Sequence, residues 1–421
     1  MNNYKKSILS NNVPVFTIPI KGSKTTTAMV MFKTGSKYET KENSGISHFL
    51  EHMFFKGTKK RPNTLMLSSE MDSLGGEYNA FTSKEFTGYW FKVANNKLGK
   101  ALNILSDMLF NSAFSPEEIE REKGVIIEEL NMYEDNPRMH IEDVFEVCLY
   151  GDTPAGWETI GTKENIRRFK RQDFIDYLET QYGAKGAYII VAGAVKPNDK
   201  KLIAKLFGDL KNNKKQDKKL VVEKQSGPQL KISPKKTDQA VLSLGVRAFK
   251  AGHPDEFKLK LLSIILGGSM SSRLFINLRE RNGLAYYVRT STEIYSDSGY
   301  LATQAGIPGE KIEEAIKIIL SEYKNISKVL VPAKELKRAK DIFQGRMLLQ
   351  MESSDNLANW YAKEAIYSKK IMTPGEVINK IKKITPENIR AVAQKVFVNK
   401  GLNLAVIGQV NDKKIKTILK F

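Results

Sequence analysis

Apolar positions along this chain follow two periods that take turns. Val13–Ile20 and Thr25–Thr34 are rich in β-branched residues and read as strands, and Pro14 and Pro19 point the first towards a sheet edge. Gly45–Phe55 reads as a helix capped by Asn43 or Ser44. Thr64–Leu74 reads as a second, closed by Gly75 and Gly76. Glu77–Val93 is aromatic-rich and partly alternating, the pattern of two strands broken near Ser83–Glu85. Leu98–Phe110 is an amphipathic helix. The longest helix starts after Ser115, where Ser115, Pro116 and Glu118 occupy cap, first-turn and capping-box positions, and Asn136-Pro137 ends it. Helical patterns continue over Met139–Tyr150, Lys163–Phe169 and Gln172–Gln181, and a strand, Ala187–Ala192, runs into Gly193.

The second half repeats this order. Ala240–Phe249 predicts a strand, Asp255–Leu266 a helix, Gly283–Thr292 and Tyr300–Ala305 strands, Lys311–Ser327 a helix, and a long helix follows Pro332. Thr373-Pro374 and Thr385-Pro386 are helix starts, and Leu402–Ile407 with Gly408 mirrors Tyr188–Ala192 with Gly193. Ile119, Arg121 and Lys123 align with Leu336, Arg338 and Lys340, 217 residues on. The pattern predicts an α+β chain of two tandem homologous α/β domains, residues 1–210 and 229–421. Each has an antiparallel-rich mixed sheet with helices packed on one face, and a Lys-rich linker, 211–228, joins them.

The length, 421 residues, accommodates that duplication. The net charge of +20 suggests an anionic partner until it is divided. Residues 1–210 carry 28 basic and 27 acidic side chains, and residues 211–421 carry 39 and 20. Within the first half, residues 101–150 hold 12 acids and 3 bases. A basic back half and a locally acidic front do not make one nucleic-acid groove, and no nucleic-acid motif occurs. The single cysteine, Cys148, excludes an intrachain disulfide. Met1–Ser10 is polar, and no apolar run reaches the ~20 residues of a membrane span. The expectation is a cytoplasmic protein without a membrane span.

Chemistry concentrates in His48-Phe-Leu-Glu51-His52. On a helix, positions i, i+3 and i+4 share a face, so both imidazoles and the Glu51 carboxylate project together. Two nitrogen ligands with a carboxylate beside them suit a zinc ion and a water that the carboxylate deprotonates; H-x-x-E-H is the inverzincin pattern. A catalytic zinc needs a third protein ligand. The acidic helix offers Glu122, Glu128 and Glu129, and spacing alone does not choose among them. Glu122 and Glu129 lie two turns apart on one face, so one can ligate while the other orients a ligand. The remaining acids, Glu117, Glu120 and Glu134, read as solvated charge.

These residues resemble a known family. His48 to Thr58 is similar to the zinc motif of the pitrilysin-type (insulinase-like) metallopeptidases, in the subgroup of the mitochondrial processing peptidase β-subunit and its bacterial relatives. Three further blocks match in the family's order: Gly75–Thr82, Glu120–Leu130 and Leu278–Tyr286. The resemblance implies one zinc ion per chain, held by His48, His52 and Glu129, with Glu122 in support and Glu51 as general base and acid. It implies that Asn79, Ala80 and Phe81 lie on a strand that takes the substrate backbone by strand addition. It also implies that Arg279 and Tyr286 reach the substrate and its tetrahedral intermediate, although by residue type alone Tyr286 reads equally as core and Arg279 as surface charge. Two such chains, a homodimer, would face each other as a clamshell around a chamber admitting unfolded peptides, and the acidic helix suits basic ones.

At the 217-residue offset, His48, Glu51 and His52 map to Ile265, Gly268 and Ser269, while Glu122 and Glu129 map to Ala339 and Arg346. The second copy therefore carries no metal site. The resulting expectation is a zinc endopeptidase whose chemistry sits in the first half. The competing expectations are a structural subunit of the same fold, which would have lost these residues, and a basic nucleic-acid-binding protein.

Overall fold

Strand and helix order in the two halves is nearly the same in the computed structural model, which describes residues 4–213, 216–368 and 370–421. The first half runs β1 (Lys5–Ile8), β2 (Pro14–Pro19), β3 (Thr25–Phe32), α1 (Ile46–Met53), α2 (Thr64–Asp72), β4 (Glu77–Thr82), β5 (Thr87–Ala94), α3 (Leu98–Asn111), α4 (Pro116–Asp135), α5 (Pro137–Tyr150), α6 (Lys163–Arg168), α7 (Arg171–Gln181), β6 (Ala187–Gly193) and α8 (Asp199–Phe207). The second runs β7 (Gln229–Ser233), β8 (Gln239–Arg247), α9 (Glu256–Gly267), β9 (Val288–Ile294), β10 (Gly299–Pro308), α10 (Ile312–Lys328), α11 (Ala333–Gln350), α12 (Ser354–Tyr367), α13 (Pro374–Lys382), α14 (Pro386–Val396), β11 (Leu402–Ile407) and α15 (Asp412–Ile418). Among the described residues no helix is long and apolar enough to cross a membrane.

The chain forms two compact units, each around one sheet. In unit 1 the order is β1-β2-β6-β3-β5-β4, with β2–β6 parallel and every other pair antiparallel. In unit 2 it is β7-β11-β8-β10-β9, with β7–β11 parallel and the rest antiparallel. One strand is not announced by periodicity. β1 comes from the polar N-terminal segment and pairs Lys5 with Thr17 through Ile8 with Pro14. The expected edge strand Val13–Ile20 is therefore an inner one, and Pro14 and Pro19 stand at its two ends.

Neither unit is a contiguous stretch. Unit 1 comprises Met1–Asn131, Glu158–Lys219 and Leu349–Thr373; unit 2 comprises Met132–Trp157, Leu220–Leu348 and Pro374–Phe421. The expectation of helices on one face of each sheet is met there and exceeded on the other face. On the first face of unit 1, Phe32 and Tyr89 meet Phe54 at the end of α1 and Tyr182 after α7. On the other, Phe16, Ile18, Met29, Met31 and Ile190 pack against Leu357, Tyr361 and Ile366 of α12. Thr27 and Ser354 share a buried hydrogen bond of 2.7 Å, and Lys92 pairs with Asp355 at 3.0 Å. In unit 2 the equivalent face, with Val241, Tyr300, Ala302, Ala405 and Ile407, is covered by Ile141, Val144, Phe145 and Leu149 of α5. Both ends of α12 lie 217 residues beyond those of α5.

The Lys-rich segment is fastened rather than loose. The Lys211 carbonyl accepts from the Ala184 amide, Gln181 reaches the Gln216 carbonyl, and Lys218 pairs with buried Glu85 at 3.0 Å. Gln225 binds the Leu402 carbonyl. Lys214 and Lys215 lie outside the described residues.

Because α12 supplies one whole layer of unit 1, a chain ending at residue 228 leaves Met29, Met31 and Ile190 uncovered. Such a fragment should show no cooperative unfolding by circular dichroism, and a peptide spanning residues 349–373 should restore it. In the full chain, Tyr361→Ala, at a fully buried site, should lower the denaturation free energy by about 3–5 kcal/mol.

Candidate metal centre

α1 is not capped as the sequence suggests. Asn43 uses its side chain on the Thr40 amide, 2.6 Å away, and no side chain of the capping residue closes the helix. The residue before the helix is Gly45, at φ 99°, where a Cβ would lie 2.6 Å from the Ile160 carbonyl oxygen, so only glycine fits. The exposed amides are taken instead by a buried carboxylate: Glu39 accepts from the Gly45 and Ser47 N–H groups, both at 2.8 Å. Burial pushes the Glu39 carboxyl up to about 7 against the pull of these donors. The Ser47 hydroxyl then meets Tyr177 Oη at 2.7 Å, which ties α1 to α7.

With α1 so placed, His48 and His52 reach α4, and Glu51 lies on the same face of the helix. The Nε2 atom of His48 lies 3.7 Å from Glu129 Oε1, and that of His52 lies 3.4 Å from Glu129 Oε2. His52 Nδ1 is 2.9 Å from Glu122 Oε1, and Lys56 pairs with the other Glu122 oxygen. Glu128 is exposed and reaches only as far as Asn131. The three acids that spacing left level are thus separated by position. Glu129 joins the two imidazoles, Glu122 stands behind His52, and Glu128 faces away.

Glu51 is mostly buried, and its Oε2 accepts a 2.6 Å hydrogen bond from Thr82 at the end of β4. Burial raises the Glu51 carboxyl above the ordinary value while Thr82 opposes the rise. Burial pushes His48 down to about 4, assisted by the charge of His52 and opposed by Glu129. For His52 burial acts downward as well, but the hydrogen bonds and charges of Glu122 and Glu129 outweigh it and lift the imidazole to about 9. Glu122 is held below the carboxylate range, its burial overcome by His52 and Lys56; His52 does the same for Glu129.

This donor set fits a zinc ion. One ligand atom each from His48, His52 and Glu129 lies within 4.8 Å of the other two. Two imidazoles and one carboxylate are the protein ligands of a catalytic zinc with an open fourth position. Glu122 on the far nitrogen of His52 fixes its tautomer, as carboxylates behind metal-bound histidines do.

β4 runs beside α1 at the edge of its sheet. Ala80 and Thr82 share the face that meets α1, whereas Asn79 and Phe81 are on the opposite one. The Asn79 side chain accepts from the Ala80 amide at 2.8 Å. Phe81 packs edge-on against Phe86 and lies over Gly88, where a Cβ would come within 2.4 Å of its ring. Phe81 therefore has core contacts through its side chain and presents only backbone at the edge. In unit 2, Arg279 belongs to a π-helical turn, Phe275–Arg281, and its guanidinium lies over the rings of Phe275 (5.1 Å) and Tyr286 (5.8 Å). Tyr286 is 73% exposed, which removes the core reading.

Sequence reasoning missed Glu39, Lys56 and Thr82. The last two sit inside the matched blocks and were within reach of a search for partners of Glu122 and Glu51. Glu39 carries no local signal, because its partners are main-chain amides.

A duplicated α/β chain with a His–His–Glu cluster in its first unit defines a class of protein, and comparison places it. The description Insulinase (Peptidase family M16) matches residues 15–163, and Peptidase M16 inactive domain matches residues 168–343. The chain belongs to the insulinase (M16) peptidase family. A Bacillus subtilis protein named an uncharacterized zinc protease is 34% identical over 391 residues, 93% of each chain. The β-subunit of human mitochondrial-processing peptidase is 30% identical over 403 residues, 93% of this chain and 82% of the relative. A crystal structure of a protease from Helicobacter pylori superposes with a TM-score of 0.91, covering 97% of this chain and 100% of the other at 24% identity, so the fold is shared.

Metal uptake should be proton-coupled. In the metal-free chain His52 is protonated below about 9, so a metal at its Nε2 must displace that proton. Calorimetric titration of the metal-free chain with Zn2+ at pH 7, in buffers of differing ionisation enthalpy, should show about one proton released, falling towards none above pH 9. His52→Ala should abolish stoichiometric zinc, and Glu122→Gln should weaken it about 10–100-fold without unfolding the chain.

Proposed function

We propose that this chain is a zinc-dependent endopeptidase that hydrolyses unfolded peptides or oligopeptides. The observation that carries the reading is the convergence of His48, His52 and Glu129, with the Glu51 carboxylate held beside them by Thr82. His48, His52 and Glu129 would hold the ion. When bound, zinc supplies Lewis acidity, polarising a peptide carbonyl and making a water more acidic.

The other contributions come from the chain itself. Glu51 accepts the proton of the attacking water and passes it to the departing amine nitrogen, and its burial-raised affinity for protons suits both steps. Glu122 holds the His52 ring in one orientation. The outer edge of β4, at Asn79, Ala80 and Phe81, takes the substrate as an added strand through main-chain hydrogen bonds. Arg279, whose guanidinium lies over the Tyr286 ring, and the Tyr286 hydroxyl supply a cation and a donor to the oxyanion, from this chain or from a second copy. Two copies form a homodimeric clamshell whose chamber excludes folded proteins. The acids of α4 favour basic peptides.

The reading is tested by zinc content and by cleavage of an unstructured peptide. Wild type should carry one zinc and cleave, while Glu51→Gln should keep the zinc and lose at least about 100-fold in kcat/KM. A wild type that carries no metal and does not cleave would overturn it in favour of a structural subunit, and unchanged turnover in Glu51→Gln would overturn the mechanism through Glu51. At low salt, peptides differing only by lysine-to-glutamate reversal should separate, the basic one being cut faster; equal rates would remove the charge preference alone.

A further inference from the structure

The two sheets are copies that differ at one edge. In unit 1, β2 lies parallel to β6, and its other side is covered by β1, paired antiparallel over four residues. In unit 2, β7 occupies the corresponding place beside β11, and no described strand lies beyond it. The Ser233 carbonyl accepts from the Gly408 amide, so Gln229, Lys231 and Ser233 turn their main chain towards β11. Leu230 and Ile232 then turn theirs outward, where no described residue pairs with them.

A cavity flanks this edge on each face of the sheet. On the α5 side, about 530 Å³ is lined by Val147, Cys148, Asp152, Trp157 and Lys231. The Trp157 indole donates to Asp152 at 2.7 Å, so that carboxylate is already engaged and the wall is mainly apolar. On the α15 side, about 590 Å³ is lined by Pro228, Asn399, Lys416, Leu419 and Lys420, a basic wall in which Lys416 also pairs with Asp412 at 3.3 Å. A strand laid along β7 would send alternate side chains into the two cavities. Pro228 and Pro234 bound the edge, which limits pairing to a length like that of β1. The first copy shows what such a slot accommodates. Beside β1, the Tyr4 ring packs, tilted, against Phe16 and against Tyr361 of α12, the helix equivalent to α5.

We propose that the outer edge of β7 docks an extended segment of a partner polypeptide, added as an antiparallel strand. Aromatic side chains enter the Trp157 cavity, and acidic ones face Lys416 and Lys420. This site lies on a different sheet from β4 and does not depend on hydrolysis.

The test uses the full chain carrying Glu51→Gln, so that no probe is cut, and a fluorescein-labelled octapeptide of alternating tyrosine and glutamate. Anisotropy should show saturable binding. Binding should weaken at least about tenfold when alternate peptide amides are N-methylated, which deletes two or three main-chain hydrogen bonds. Similar losses should follow replacement of glutamate by lysine in the peptide, or Leu230→Pro, which removes an outward N–H and spares the β11 ladder. Hydrogen exchange on the unsubstituted edge checks the site independently of that variant: the Leu230 and Ile232 amides should exchange readily alone and slow when peptide is added. Absence of binding, equal affinity for the N-methylated peptide, or protection confined to β4 would overturn the proposal.

Discussion

Each sheet in this protein is apolar on both faces, and a half-chain folded by itself would bring helices to only one of them. The rest of the structure depends on how the second face is buried. Exchange of α5 and α12 answers it: Tyr361, Leu357 and Ile366 close the sheet of unit 1, and Phe145, Ile141 and Leu149 close that of unit 2. Burial at roughly 25 cal/mol per Å² of apolar surface makes each exchanged helix worth far more than its helix propensity. It also explains why neither unit is a continuous segment.

The His48–His52–Glu129 cluster inherits its geometry from the same sheet. β4 and β5 anchor Thr82 against Glu51, and α1 is set on the sheet by Phe54 and by the buried Glu39 beneath its first turn. His52 then sits between two carboxylates whose charges keep it basic, while His48, one turn away, is kept neutral by burial. Two histidines of one motif thus differ in proton affinity because one has a dedicated carboxylate behind it and the other does not.

Much of the fold was legible. Strand and helix periods, the Pro-marked helix starts and the 217-residue offset were enough to see a duplication. β1 was not visible because a short, polar edge strand has no buried face to impose alternation. The cap of α1 was misassigned, although its start was not, because the cap comes from Glu39, six residues before Gly45, and no local rule links them. The helix exchange escaped because amphipathicity tells that a face is buried, not against which sheet.

Sequence by itself determined the chemistry on one helix: His48, Glu51 and His52 share a face through the 3.6-residue turn alone, and the second copy's Ile265, Gly268 and Ser269 cannot ligate zinc. Only the tertiary structure decided which acid meets them. Glu122, Glu128 and Glu129 are alike in type and lie on one helix, and their roles differ because α4 crosses α1 at one angle and one height. Local geometry repeats along a helix, but the distance between two helices is set by what packs beneath both.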